Sequence, residues 1–369
     1  MTMKKDQIIA GITHGDINGV GYEVIIKTLM DNRIMDKCTP VVYGSPKVAA
    51  YHRKALDIGN FSFNNINDAS EANPKRANII NCLDDNVRVE LGKSTAMAGE
   101  SAVIPLEMAV SDLVANKIDV IITAPINKFN IQSASFNFPG HTEFFKERFG
   151  VDDVLMLLVS DDLRVGVATG HIPLKDVPGE LSIENIVRKL EVMDYSLRVD
   201  FAIRKPRIAV LSLNPHSGDT GLLGDEEQEI IVPAIDEASE KGILTFGPYP
   251  SDGFFGSGSF RAFDGILAMY HDQGLTAFKT LAQGEGVNFT AGLPVVRTSP
   301  SHGTAYEIAG NGEASETSFR KALYLASDIY MNREMHKEIT SNPLENHGPD
   351  DRKGMQDELS PGADNNDAS

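Results

Sequence analysis

The stretch "DGILAMYHDQGL", Asp264 to Leu275, decides the reading of the fold. An apolar run bounded by turn residues reads as a buried strand, and this one stops on His271 and Asp272. The same arrangement occurs in "VGVATGHIPL" and "IAVLSLNPHSG", whose apolar runs stop at His171 and His216.

Working outward, "QIIAGI", "TPVVYG", "ANIINC", "DVIITAP", "VLMLLVS", "RVGVATG", "RIAVLSL", "DGILAMY" and "PVVRT" read as buried strands, being short and β-branched. Between them, "EVIIKTLM", "AVIPLEMAVSDLVANK", "SIENIVRKLEVMDYSLRV", "GDEEQEIIVPAIDEASEKG" and "SETSFRKALYLASDIYMNREMHKE" space their apolar residues at helical intervals. Strands alternating with helices predict an α/β protein with a largely parallel sheet or sheets. In such sheets ligands collect outside the carboxyl ends of strands, which is where the three histidines fall.

A chain of 369 residues, 41% hydrophobic and 23% charged, is long enough for one large or two ordinary domains. No apolar run approaches the roughly twenty residues a bilayer requires, so no membrane association is expected. The opening "MTMKKDQIIAGI" lacks a signal-length apolar region, which predicts a cytoplasmic protein. Cys38 and Cys82 form no metal or redox spacing and read as reduced structural residues. The net charge of -18 argues against a nucleic-acid partner, since phosphate-backbone binding requires a basic surface. It does not exclude a small phosphorylated ligand, which needs only local Lys, Arg and backbone donors. The polar stretch from Leu344 is expected to be a disordered acidic tail without a catalytic role.

His171, His216 and His271 lie 45 and 55 residues apart, so they could meet only through the fold or across a subunit interface. Three neutral imidazoles with an open coordination position suit Zn²⁺ or a similar divalent ion. Asp252 and Asp272 are candidate acid/base or outer-sphere groups, or helix caps. "HGDINGVGYEV" follows the first strand, but Gly15, Gly19 and Gly21 do not fit the dinucleotide fingerprint, and the reading is a tight strand-to-helix turn. "SHGTAYEIAGNG" groups His302, Gly303 and Thr304 ahead of Glu307, whose carboxylate could accept from a ribose diol and repel a 2′-phosphate. An ordinary helix start fits those residues equally.

Together, "GITHGDINGVG", "GHTEFF", "TGHIPLKDVPGEL", "LNPHSGDTGLLGDEE", "AMYHDQGL" and "GVNFTAGLPVVRTSPSHGTAYEIAG" resemble the 4-hydroxythreonine-4-phosphate dehydrogenase family over about residues 7 to 338. The resemblance implies an isocitrate/isopropylmalate dehydrogenase-like fold of two α/β/α domains with a cleft between them. Residues 1–125 and 265–342 would form the cofactor side, residues 126–264 the metal, substrate and dimerisation side, and 343–369 the tail. It further implies that His171, His216 and His271 bind a divalent metal, Zn²⁺ being expected and Co²⁺ or Mg²⁺ the alternatives. One histidine would come from the partner in a homodimer with its active site at the subunit interface. His141, Thr142, Lys279, Asn288 and Arg297 would contact a small phosphorylated substrate, and His302, Gly303, Thr304 and Glu307 would bind NAD.

The chain departs from the family pattern twice. Glutamate stands at 307 where aspartate is usual, and "THGDINGVGY" loses three prolines and places His14 and Asn18 near the presumed site. The implied reaction is oxidation of 4-phosphooxy-L-threonine, with Asp252 or Lys279 as base, followed by decarboxylation in pyridoxal 5′-phosphate biosynthesis. Family members acting on erythronate 4-phosphate or on a dihydrodiol leave a sister dehydrogenase as the alternative.

Overall fold

All nine apolar runs form strands in the structure, a computed structural model that describes residues 7–132 and 136–342. The expected acidic tail lies outside the described residues. Three further strands complete the set: β3 (Asn64–Ile66), β9 (Leu244–Tyr249) and β11 (Val287–Ala291). The others are β1 (Ile8–Thr13), β2 (Cys38–Gly44), β4 (Asn78–Asn81), β5 (Val120–Thr123), β6 (Leu155–Val159), β7 (Arg164–Val167), β8 (Arg207–Leu211), β10 (Gly265–Ala268) and β12 (Val296–Pro300).

They join in one sheet of order β3-β4-β2-β1-β5-β12-β11-β6-β7-β10-β8-β9. From β3 to β12 every pairing is parallel, and so is every pairing from β7 to β9. Between these halves lies a seam of three antiparallel pairings, β12–β11, β11–β6 and β6–β7. An odd number of reversals makes the two halves run in opposite directions. β10 begins immediately after residue 264, where the resemblance placed a domain boundary, and pairs with β7 and β8.

Helices cover both faces, as a sheet of such apolar strands requires. Thr317–Thr340 packs on β12 and buries Phe319, Ala322, Leu323, Ala326 and Ile329, a single helical stripe. In the opening stretch, β10 is wholly buried and the helix His271–Ala282 follows it, turning Leu275 and Phe278 inward. Each fully buried side chain of that size contributes roughly 1.5–3 kcal/mol. Gly274 lets the helix close on the sheet, because a Cβ there would lie 2.9 Å from Val165 and 3.0 Å from Ala268. Among the described residues no helix is long and apolar enough to cross a membrane.

The departure at "THGDINGVGY" is structural. His14, Asp16 and Asn18 are all buried. Tyr22 lies between two imidazoles, with ring centroids 5.2 Å from His14 and 5.2 Å from His52. His14 Nε2 reaches the Ser101 carbonyl at 3.0 Å, and His52 Nε2 the Ile17 carbonyl at 2.8 Å. Gly15 has φ of +70°, and a Cβ on it would lie 2.3 Å from the Pro125 oxygen.

Burial pushes His14 and His52 down to about 4, so both are neutral in the folded chain. Between about pH 6.5 and 4 the unfolded chain binds more protons than the folded one, so stability falls as pH falls. Each histidine contributes at most on the order of 3 kcal/mol to that loss. The variant His52→Gln, which retains a donor for Ile17, is expected to have a flatter stability profile than wild type over this window in urea denaturation. Superimposable slopes would contradict the neutral, buried imidazole.

Candidate active site

Because cross-strand partners share a face of a sheet, the seam pairs Ser299 with Asn288 and Asn288 with Leu158 on one surface. Thr123, Arg297, Thr290 and Met156 fall on that surface by the two-residue alternation. A cavity of about 350 Å³ opens above it. Its walls include His141, Thr142 and Glu143 from the helix His141–Arg148, and His271, Leu275 and Lys279 from the helix His271–Ala282. The cavity therefore sits over the seam and not beyond one edge of the sheet, since the carboxyl ends of the two halves point opposite ways.

Arg297 dominates its electrostatics. The residue is 2% exposed and makes no ion pair among the described residues. Its Nε and Nη2 donate to Thr123 Oγ1 at 3.2 and 2.7 Å, and Nη1 donates to Thr290 Oγ1 at 3.1 Å. The guanidinium also lies 5.8 Å from the centroid of the Phe145 ring. Desolvation pushes it down to about 9, with Glu143 opposing, so it remains charged at neutral pH. A buried cation without a partner is costly, and an arriving anion would offset that cost. Asn288 Oδ1 and His302 Nε2, both on residues of the same cavity, are buried without hydrogen-bond partners among the described residues. His141 is held well below its usual range by desolvation, then by Arg297 and Lys128. The helix begins at His141 after Gly140, so Thr142 lies inside its first turn and does not cap it.

Sheet order explains the imidazoles. His171 follows β7 and His271 follows β10, neighbouring parallel strands, and their ring centroids are 5.1 Å apart. His271 Nδ1 lies 2.7 Å from the Asp272 carboxylate. That contact makes Nδ1 the protonated nitrogen and leaves the Nε2 lone pair free. His171 Nε2 faces the Lys128 ammonium at 3.3 Å, a cation where a metal ion would draw on the same lone pair. Desolvation lowers the His171 pKa, and Lys128 and His271 lower it further. Lys128 was not legible as a site residue, because it lies 43 positions before His171 in a loop with no motif of its own.

His216, Asp252, Asp272, Thr304 and Glu307 do not line this cavity. His216 follows β8, on the far side of β10, and is exposed. It stands in a left-handed turn with φ of 55° at His216, 54° at Ser217, 77° at Gly218, 45° at Asp219 and 57° at Thr220. Left-handed backbone costs roughly 1–2 kcal/mol per non-glycine residue. No three His, Cys, Asp or Glu residues among those described gather to hold a metal within one chain. Asp252 is exposed in the first turn of the helix Ser251–Gly256. Thr304 and Glu307 belong to a neighbouring apolar cavity's surroundings: Ala305 and Ile308 line that space of about 420 Å³. It shares Lys279, Ser301 and His302 with the first cavity. The first glycine turn braces this region, since Asp16 accepts from Tyr306 Oη at 2.7 Å and Asn130 Nδ2 at 2.8 Å.

The cavity thus joins a buried guanidinium to a pair of imidazoles on an α/β sheet. The chain belongs to the PdxA family, whose model, described as pyridoxal phosphate biosynthetic protein PdxA, matches residues 36–326. It is 57% identical over 344 residues to a 4-hydroxythreonine-4-phosphate dehydrogenase of Bacteroides thetaiotaomicron, covering 93% of this chain and 94% of that one. The Aquifex aeolicus 4-hydroxythreonine-4-phosphate dehydrogenase is 42% identical, over 86% of this chain and 97% of its own. A solved 4-hydroxythreonine-4-phosphate dehydrogenase from Klebsiella pneumoniae superposes with a TM-score of 0.76 at 34% identity, covering 88% of this chain and 99% of that one. These relatives place the chain among dehydrogenases of pyridoxal phosphate biosynthesis, and the α/β fold expected from the sequence is theirs.

Replacing Arg297 separates binding from stability. Arg297→Met is expected to raise KM for a phosphorylated substrate by roughly 10- to 100-fold, the value of a charge-assisted contact. Stability in urea should stay within about 1 kcal/mol of wild type, because an unpaired buried charge is removed along with its two threonine contacts. A loss of stability with unchanged KM would make the guanidinium a structural group.

Proposed function

We propose that the chain oxidises 4-phosphooxy-L-threonine with NAD and a divalent metal ion. The product, 2-amino-3-oxo-4-phosphooxybutanoate, is a β-keto acid that loses CO₂ to give 3-amino-2-oxopropyl phosphate. The observation that carries this reading is the buried, unpaired guanidinium of Arg297 on the floor of the cleft. In an acidic protein such a charge is kept for an anion, and the relatives act on a phosphate monoester by name.

Arg297, with His141, Thr142 and Asn288, would take the anionic groups of the substrate. Lys279 lines both cavities, which supports it over Asp252 as the base that would receive the hydroxyl proton. Asp252 lies outside both. The donor set fits a divalent ion: His271 is fixed with Nε2 free, and His171 presents a lone pair already facing a cation. His216 of a second copy would complete the set in a homodimer. Such an ion supplies Lewis acidity toward the substrate hydroxyl and toward the charge released by CO₂ loss.

The apolar cavity fits the adenosine half of NAD, with the orphaned His302 Nε2 at its border. Glu307, exposed beside Ala305 and Ile308, would accept from the ribose diol and repel a 2′-phosphate. His14 and Asn18 line neither cavity, and Val20 of the same motif lines the apolar one.

NADH formation from 4-phosphooxy-L-threonine is expected to stop on chelation and return with Zn²⁺, Co²⁺ or Mg²⁺. The same assay with erythronate 4-phosphate should give a lower kcat/KM. Equal or reversed preference would reject the substrate assignment, and NADH formation that persists under chelation would reject the metal.

A further inference from the structure

We infer that Glu227 is a positioning residue for His216: its carboxylate sets the entry to the left-handed turn and so fixes the imidazole for a metal ion. The inference rests on the metal reading above.

Glu227 is 2% exposed, although it carries a carboxylate. Its Oε1 accepts from the backbone N–H of Leu213 at 2.8 Å and of Asn214 at 2.7 Å. Its Oε2 accepts from Asn214 Nδ2 at 3.0 Å, and the same amide donates to Glu226 Oε2 at 2.7 Å. All these donors belong to the two residues that precede Pro215 and His216. Charge-assisted hydrogen bonds of this kind are short and directional, so the chain enters the turn along a fixed path. The carboxylate also touches the turn's centre. A Cβ on Gly218 would lie 2.7 Å from Glu227 Oε2 and 2.7 Å from the Gly224 oxygen.

At its exit the turn is closed by backbone hydrogen bonds, and Ser217 Oγ donates to the Pro248 carbonyl at 3.3 Å. Leu223 N–H donates to the Gly218 carbonyl at 3.0 Å and Leu222 N–H to the Asp219 carbonyl at 3.3 Å. Four of the five residues from His216 to Thr220 are not glycine, yet all have positive φ. Such a run persists only where surrounding structure over-determines it. The imidazole it displays has no hydrogen-bond partner among the described residues and lines neither cavity of its own chain. A buried carboxylate supports a strained segment whose visible product is one free, exposed imidazole. That is the arrangement expected of an outer-sphere group that orients a ligand.

Co²⁺ is the probe, added to the full-length chain and followed by its visible absorption. Glu227→Gln keeps the size of the side chain but sets an N–H₂ among donors. It is expected to weaken Co²⁺ binding roughly 10- to 100-fold and to speed amide exchange at Leu213 and Asn214. NAD binding should be unchanged. Adding Thr220→Gly, which relieves left-handed strain at a β-branched residue, should restore part of the Co²⁺ affinity. Should Glu227→Gln fail to fold, Thr220→Gly alone carries the test: it should melt higher than wild type and bind Co²⁺ at least as tightly, and a lower melting temperature would overturn the strain argument. Wild type that binds Co²⁺ while Glu227→Gln binds it equally well would overturn the role of Glu227 alone. Wild type that binds no Co²⁺ would overturn the metal reading and this inference with it.

Discussion

Two sets of parallel strands that run in opposite directions can share a sheet only through an odd number of antiparallel pairings, and here β11 and β6 supply them. The seam makes the site. The cavity has strand residues of the seam as its floor and residues of the helices His141–Arg148 and His271–Ala282 among its walls. Residues distant in sequence, such as Thr123, Leu158, Asn288 and Arg297, become neighbours through register alone.

Charge is arranged against the grain of the whole molecule. A chain with a net charge of -18 keeps Arg297, Lys128 and Lys279 around one cavity, with Glu143 as the carboxylate on its lining. Burial removes the screening that would weaken these charges at the surface. The threonine hydroxyls orient the guanidinium without neutralising it. Long-range repulsion of an anion by the acidic surface is countered only at short range, which favours small ligands over extended polyanions.

The imidazoles show how a connection rule becomes chemistry. β7, β10 and β8 are consecutive in the sheet, and each ends in a loop bearing a histidine. Adjacent strands about 4.8 Å apart bring His171 and His271 into ring contact. The loop after β8 instead enters a left-handed turn, and His216 leaves the group.

The strand and helix order was legible in the sequence because buried strands carry uninterrupted apolar runs and helices a spaced stripe, both local properties of the chain. β3 and β9 escaped that reading as edge strands: β9, "LTFGPY", buries only Thr245, and its sequence carries no apolar run. β11, "VNFTA", alternates apolar residues with Asn288 and Thr290 and so carries no uninterrupted apolar run. The residue types at the strand ends, and so the class of chemistry, were fixed by sequence alone. Which of them meet was settled only by tertiary structure: Lys128 beside His171, Asp16 beneath Tyr306, His216 turned away from His271. Those placements depend on sheet register and backbone hand across tens to hundreds of residues, and no local pattern encodes either.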